Sequence, residues 1–75
     1  MSYNGHRNWN HWNVALWIGN DEGLYNLAKE YKRRHGNARD AAKSMLEMLK
    51  GAGYSKTPDG APYSVSALRA AMSEL

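Results

Sequence analysis

Few side chains in this 75-residue sequence can do chemistry. His6, His11 and His35 are its only imidazoles, and there is no cysteine, so a thiolate zinc site and a thiol nucleophile are both excluded. His6 and His11 stand five residues apart, a poor fit to one helical face, and no carboxylate lies close to them in sequence. No metal and no cofactor are expected. Asp21 and Glu22 are adjacent carboxylates, but they precede an apolar helical repeat. In a first turn their charge meets the positive end of the helix dipole, a structural role. The sequence contains no G-x-S-x-G elbow, no H-E-x-x-H helix and no phosphate-cradling glycine loop. Gly51-Ala52-Gly53 reads as a helix stop. Catalysis is not expected, and what remains is binding.

The basic residues carry that expectation. Lys and Arg number 10 against 7 Asp and Glu, a net charge of +3. The excess is local. From Lys29 to Lys56 the bases are residues 29, 32, 33, 34, 39, 43, 50 and 56, and the acids are only 30, 40 and 47. A basic half on a small domain suits an anionic partner such as DNA, and it also suits a plain solvated helix face. Lys32, Arg33, Arg39, Lys43 and Lys56 are the candidate phosphate contacts.

The elements that would position these residues follow from spacing. The length allows one domain with a core near the lower limit of self-sufficiency. Residues 1–8 are polar and expected to fray, leaving residues 9–75 as a single helical domain. Residues 10–19 fit a short helix, with Asn10 as cap and Gly19 as stop. They also fit a strand with Val14, Leu16 and Ile18 on one face; consecutive apolar positions favour the helix. In that helix Trp9, Trp12 and Leu16 share a face. At least one of Trp9, Trp12 and Trp17 is expected to close the core, while an exposed one would be available to stack on a base or meet a partner.

Asn20 then caps a second helix, with Asp21 and Glu22 in its first turn. Its stripe is Leu24, Leu27, Ala28 and Tyr31, and His35-Gly36 closes it. Asn37 caps a third helix whose apolar face includes Ala41, Ala42, Met45 and Leu49. Thr57-Pro58-Asp59-Gly60 has the chemistry of a tight turn, flanked by a tiny hairpin of residues 54–56 and 61–63. Ser64 opens a last helix, with Tyr63 and Leu68 as a hydrophobic staple. Leu68, Ala71 and Met72 face inward, and Ser66, Arg69 and Ser73 face outward. The fold class is all-α, a compact bundle of about four short helices with a small turn or hairpin before the last. No apolar run approaches the ~20 residues that span a bilayer, and no export signal is visible, so the expected location is the cytoplasm and no membrane partner is expected.

Two likenesses add to this reading. Ala42, Leu46 and Leu49, Gly53, Thr57-Pro58-x-Gly60, Tyr63-Ser64, Leu68-Arg69 and Met72 resemble the helix–turn–helix-like segment of large serine recombinases, with Tyr63 where that family usually has Trp. The likeness spans about 30 residues and does not include a catalytic domain. It implies DNA contact by the last helix, with Ser66, Arg69 and Ser73 outward and Arg69 reading a base edge. Trp12-Asn13-Val14-x-Leu16-Trp17-Ile18-x-Asn20-Asp21-Glu22-Gly23-Leu24-Tyr25 is similar to a stretch in short uncharacterised proteins of phages and mobile elements. That likeness implies origin. Small phage proteins, anti-CRISPR proteins among them, often block a host defence complex. Two functions therefore stand for a monomer or homodimer: a DNA-binding module using the basic half, and an inhibitor that occupies a surface of a host defence protein complex.

Overall fold

The computed structural model describes residues 7–75, and four helices account for most of them. They are α1 (Trp9–Asn20), α2 (Glu22–His35), α3 (Ala38–Gly51) and α4 (Val65–Met72). Residues 10–19 are helical, and no described residue belongs to a regular strand. The bundle is the all-α architecture expected from the apolar spacing. Among the described residues no helix is long and apolar enough to cross a membrane.

Each helix begins on a short polar side chain that accepts a backbone N–H. Asn37 accepts from Asp40, and Ser64 from Ala67, as their positions ahead of the apolar repeats require. Two caps differ from expectation. α1 is capped by Asn8, whose Oδ1 accepts from the His11 N–H at 3.0 Å, and Asn10 lies inside the helix. Asn8 is therefore held, and the part of the expected frayed end before Arg7 lies outside the described residues. Asp21, not Asn20, caps α2: its carboxylate accepts from the Leu24 N–H at 2.9 Å, and its own N–H closes α1 on the Trp17 carbonyl. Gly19 does not stop α1, which runs one residue further. A single residue thus ends one helix and begins the next. Gly36, at φ 78°, sits in the left-handed region that lets the chain leave α2 without a Cβ clash.

The core is built from Val14 and Ile18 of α1, Ala28 of α2, Ala41, Ala42, Met45 and Leu49 of α3, and Ala67, Leu68, Ala71 and Met72 of α4. The alanines let the helix axes approach closely. α4 packs against both α1 and α3, and α2 packs against α3 and α1. Ala61 and Tyr63 enter the same core from the connection between α3 and α4, and Tyr63 and Leu68 bracket the start of α4 as a staple.

Two expected core groups are placed differently. Leu24, Leu27 and Tyr31 are only half-buried, and Ala28 is the one buried residue of α2. None of the three tryptophans is buried: Trp12 and Trp17 are half-buried and Trp9 is 37% exposed. The Trp9, Trp12 and Leu16 face of α1 points away from the core, and Val14, Ile18, His11 and Asn13 point into it. α1 is apolar on most of its circumference, so polar partners decide which side is inward. Burial of His11 and Asn13 is tolerated because each finds a hydrogen bond.

Asn13 is the centre of that arrangement. The connection between α3 and α4 makes the expected turn, with the Gly60 N–H on the Thr57 carbonyl at 2.9 Å and Gly60 at φ 95°. The flanking hairpin is minimal, one antiparallel bridge between Lys56 and Pro62. Thr57 Oγ1 donates to Asn13 Oδ1 at 2.6 Å and accepts from the Ala61 N–H at 3.0 Å. Asn13 Nδ2 and Trp17 Nε1 both donate to Asp59 Oδ2 at 2.9 Å. Those hydrogen bonds, that from Asn13 first, hold the Asp59 carboxyl below its usual range.

Leu68→Ala should cost about 2–5 kcal/mol, because Leu68 is wholly buried. Leu27→Ala should cost clearly less, because Leu27 already meets solvent. Urea unfolding of both variants gives the ranking. The depressed Asp59 pKa makes a second, pH-dependent prediction. Its contribution is present above the unfolded value of about 3.9 and is lost as pH falls through the lower folded value. Asp59→Asn should melt below wild type at neutral pH, and the two curves should converge below pH ~4. Thermal melts across that range check it.

Candidate nucleic-acid interface

α4 turns Ser66, Arg69 and Ser73 to the outside, as the helical period requires. With Val65 and Ala70 they form one wall of a shallow groove of about 610 Å³, completed by Arg39 of α3 and His11 of α1. Four of the eight expected site residues therefore share one place: Arg39, Ser66, Arg69 and Ser73. No carboxylate lines this groove. Among the described residues neither the Arg39 nor the Arg69 guanidinium has an ion-pair or hydrogen-bond partner. Arg69 stands in the last turn of α4, where the dipole favours a cation. Arg39 stands in the first turn of α3, where the dipole opposes one, so helix stability does not account for it.

The two hydroxyls of the groove are committed to the protein. Ser66 Oγ lies 2.8 Å from His11 Nε2, a bond that ties α4 to α1 across 55 positions of sequence. Ser73 Oγ donates to the Ala70 carbonyl at 2.8 Å. The arginines are thus the groove's available donors. His11 was not among the expected contacts. The signal for it was its place on the same helical face as Val14 and Ile18, at i, i+3 and i+7.

The other expected contacts lie elsewhere, and two of them, Lys32 and Arg33, are engaged within the protein. Lys32 Nζ donates to the Leu75 main-chain oxygen at 2.9 Å. Arg33 clamps the Glu30 carboxylate with contacts of 2.6 and 2.8 Å, and Arg34 approaches the same carboxylate at 3.4 Å. Hydrogen bonding and charge from Arg33 lower the Glu30 pKa, and Glu30 raises that of Arg33. Lys43 lines a depression with His35, Ser44 and two carboxylates, Asp40 and Glu47. Lys56 stands at the edge of a different groove, lined by Trp17, Leu24, Leu27, Met48, Tyr54 and Tyr63 among others. There burial, then the Asp21 charge, push the Tyr63 phenol up and keep it neutral. The basic stretch from residue 29 to 56 does not form one face with α4.

The stretch that resembles large serine recombinases runs from the end of α3 through the T-P-D-G turn into α4. Here residues 52–64 separate α3 from α4, far more than the 3–4-residue turn of a helix–turn–helix. Among the described residues no group of three or more His, Cys, Asp or Glu side chains comes together, and His6 lies outside them.

A family model matches residues 1–75, end to end, and its description is a family of unknown function, DUF7249. The chain belongs to that family. No curated protein and no solved structure matches it. The DUF7249 match runs unbroken through both halves of the chain, so the tryptophan-rich helix and the T-P-D-G turn are parts of one family unit.

The Glu30 cluster is exposed, and an exposed ion pair contributes little to stability. Glu30→Gln should leave the midpoint of urea unfolding almost unchanged while releasing Arg33 and Arg34. Chemical denaturation compared with wild type tests this.

Proposed function

We propose that this DUF7249 protein is a small, non-catalytic, cytoplasmic protein that binds nucleic acid, DNA in the first instance, through the groove between α1, α3 and α4. One observation carries the reading. Arg39 and Arg69, from two different helices, line one groove with no carboxylate in its lining, and among the described residues neither has an ion-pair or hydrogen-bond partner. Guanidinium groups in that state are the ordinary partners of phosphate oxygens, which they meet with paired N–H donors. The net charge of +3 favours approach of a polyanion. The tied cations, Lys32 and Arg33, contribute to that long-range field more than to contact.

A second reading is that the protein occupies a surface of a host defence complex. The groove beside Trp17 and Tyr54, with Tyr54 62% exposed, is the feature that favours it. The two readings predict different responses to salt. Two phosphate contacts give a log–log slope of affinity against salt of about −1.8 on duplex and −1.4 on a single strand. Arg39→Ala and Arg69→Ala should each weaken binding and flatten the slope by nearly one unit. Lys56→Ala, on the other groove, should change it little. Fluorescence anisotropy with labelled DNA at several salt concentrations makes the measurement. Absence of binding at low salt would transfer the assignment to the protein-blocking role.

A further inference from the structure

The groove away from the arginines is built from side chains that the core leaves half covered. Trp17 of α1, Leu24 and Leu27 of α2 and Met48 of α3 all line it, and all four are half-buried. Tyr54, on the connection that follows α3, lines it too and is 62% exposed. Large apolar groups around one concavity of about 610 Å³ leave area in water that a second surface would cover. A domain of this length draws little stability from its own core, and small domains make up the difference with disulfides, a metal or oligomerisation. This chain has no cysteine, and among the described residues no group of His, Cys, Asp or Glu side chains gathers to hold a metal. Of the three, oligomerisation is left.

The charges of the lining favour a second copy of this chain over a different partner. Asp21 and Lys56 are its only charged side chains, one of each sign. They are not paired with each other, and among the described residues neither has an ion-pair partner. A face that carries one acid and one base, left apart, is complementary to itself. In a two-fold pairing the acid of each copy meets the base of the other, so one contact forms twice. A partner of uniform charge leaves one of the two unmatched. Two concave faces also need a projecting group, and Tyr54 is the one large apolar side chain of the lining that stands mostly in water. Aromatic side chains are common anchors of protein interfaces.

We infer that two copies of this chain pair through this groove about a two-fold axis, the Tyr54 ring of each entering the groove of the other, with Asp21 and Lys56 paired across the interface. This pairing goes beyond the nucleic-acid reading and does not depend on it. The two groove linings share no residue, so Arg39 and Arg69 are not part of the lining that pairs. An interface of standard size takes about 20–30 residues from each partner. This lining has eleven, so the dimer is a reversible one that forms as concentration rises.

Sedimentation velocity on the full chain, over concentrations that cover dissociation constants of about 1 μM to 1 mM, tests the pairing. The expected mass rises with concentration from 8.4 kDa toward twice that value. Tyr54→Ala, at an exposed position, should raise the dissociation constant at least about tenfold. Lys56→Glu sets like charges opposite each other and should also weaken pairing. Adding Asp21→Asn to Lys56→Glu removes that repulsion, keeps a good cap for α2, and should recover part of the loss. A melting curve for each variant confirms folding. A mass fixed at 8.4 kDa at every concentration would overturn the pairing and leave the groove to a different protein. Self-association that ignores Tyr54→Ala or Lys56→Glu, or that does not recover in the double variant, would overturn it too, by placing the contact elsewhere. None of these outcomes bears on DNA binding by Arg39 and Arg69, which anisotropy reads separately.

Discussion

The fold hangs on a buried side-chain contact between distant parts of the chain: Thr57 Oγ1 donating to Asn13 Oδ1. Around it the polar groups are paired with one another. The Thr57 hydroxyl also accepts the Ala61 N–H, the Asn13 amide also donates to Asp59, and Trp17 adds a second donor to the same carboxylate oxygen. No buried side-chain polar atom of the described residues lacks a partner. This matters because α4 has only eight residues, too few to persist as an isolated helix. It exists because Ala61, Tyr63, Leu68 and Met72 are delivered to the core, and the turn that delivers them is fixed to α1 by this network. With no disulfide available, a polar bond in a water-poor site does the positioning. Loss of one partner leaves the other's desolvation uncompensated. The arginine groove inherits that dependence, because Arg69 rides on α4 and His11 on α1.

Local chemistry was legible in the sequence and distant chemistry was not. Asn37, Ser64, the T-P-D-G turn and the Tyr63–Leu68 staple act over three to five residues, so their types and spacing suffice. The face of α1 could not be read the same way. Trp9, Trp12 and Leu16 are the more apolar choice for a core, yet His11, Asn13, Val14 and Ile18 take the inward side. The reason lies in Ser66, Thr57 and Asp59, 55, 44 and 46 positions away from their partners. Burial of Asn13 and His11 is favourable only once those partners arrive. Indoles need no partner to remain half in water, since a ring can lie flat on the surface with its N–H free to bond, as Trp17 does with Asp59.

The candidate site shows the same division. Ser66, Arg69 and Ser73 follow from the period of α4, and Arg39 from the count of basic residues. Availability of charge does not follow from a count. Arg33, Arg34 and Lys32 belong to the most basic run of the chain, and each is engaged: two with Glu30 and one with the Leu75 main-chain oxygen. Helical spacing makes the Glu30 contacts an i, i+3 and i, i+4 matter, visible in principle. The Leu75 contact spans 43 positions and was not. A net charge therefore overstates the binding surface, and only pairing in three dimensions separates the cations that screen each other's partners from those left to meet a ligand.

Within the groove that separation leaves two guanidinium groups, Arg39 and Arg69. Arg39 opposes the dipole of α3 at its first turn, with Asp40 one residue on offsetting part of that. Arg39 and Arg69 bring like charges to one groove with no carboxylate in its lining. Stability alone would put an acid there, as it does at Glu30 between Arg33 and Arg34. An anion entering the groove removes the repulsion and meets the α3 dipole with the sign it favours. Under the proposed nucleic-acid reading, part of the binding free energy would come from relief of a cost already present in the unliganded fold. On that reading, a partner whose negative charges repeat along a backbone would relieve it at both arginines together.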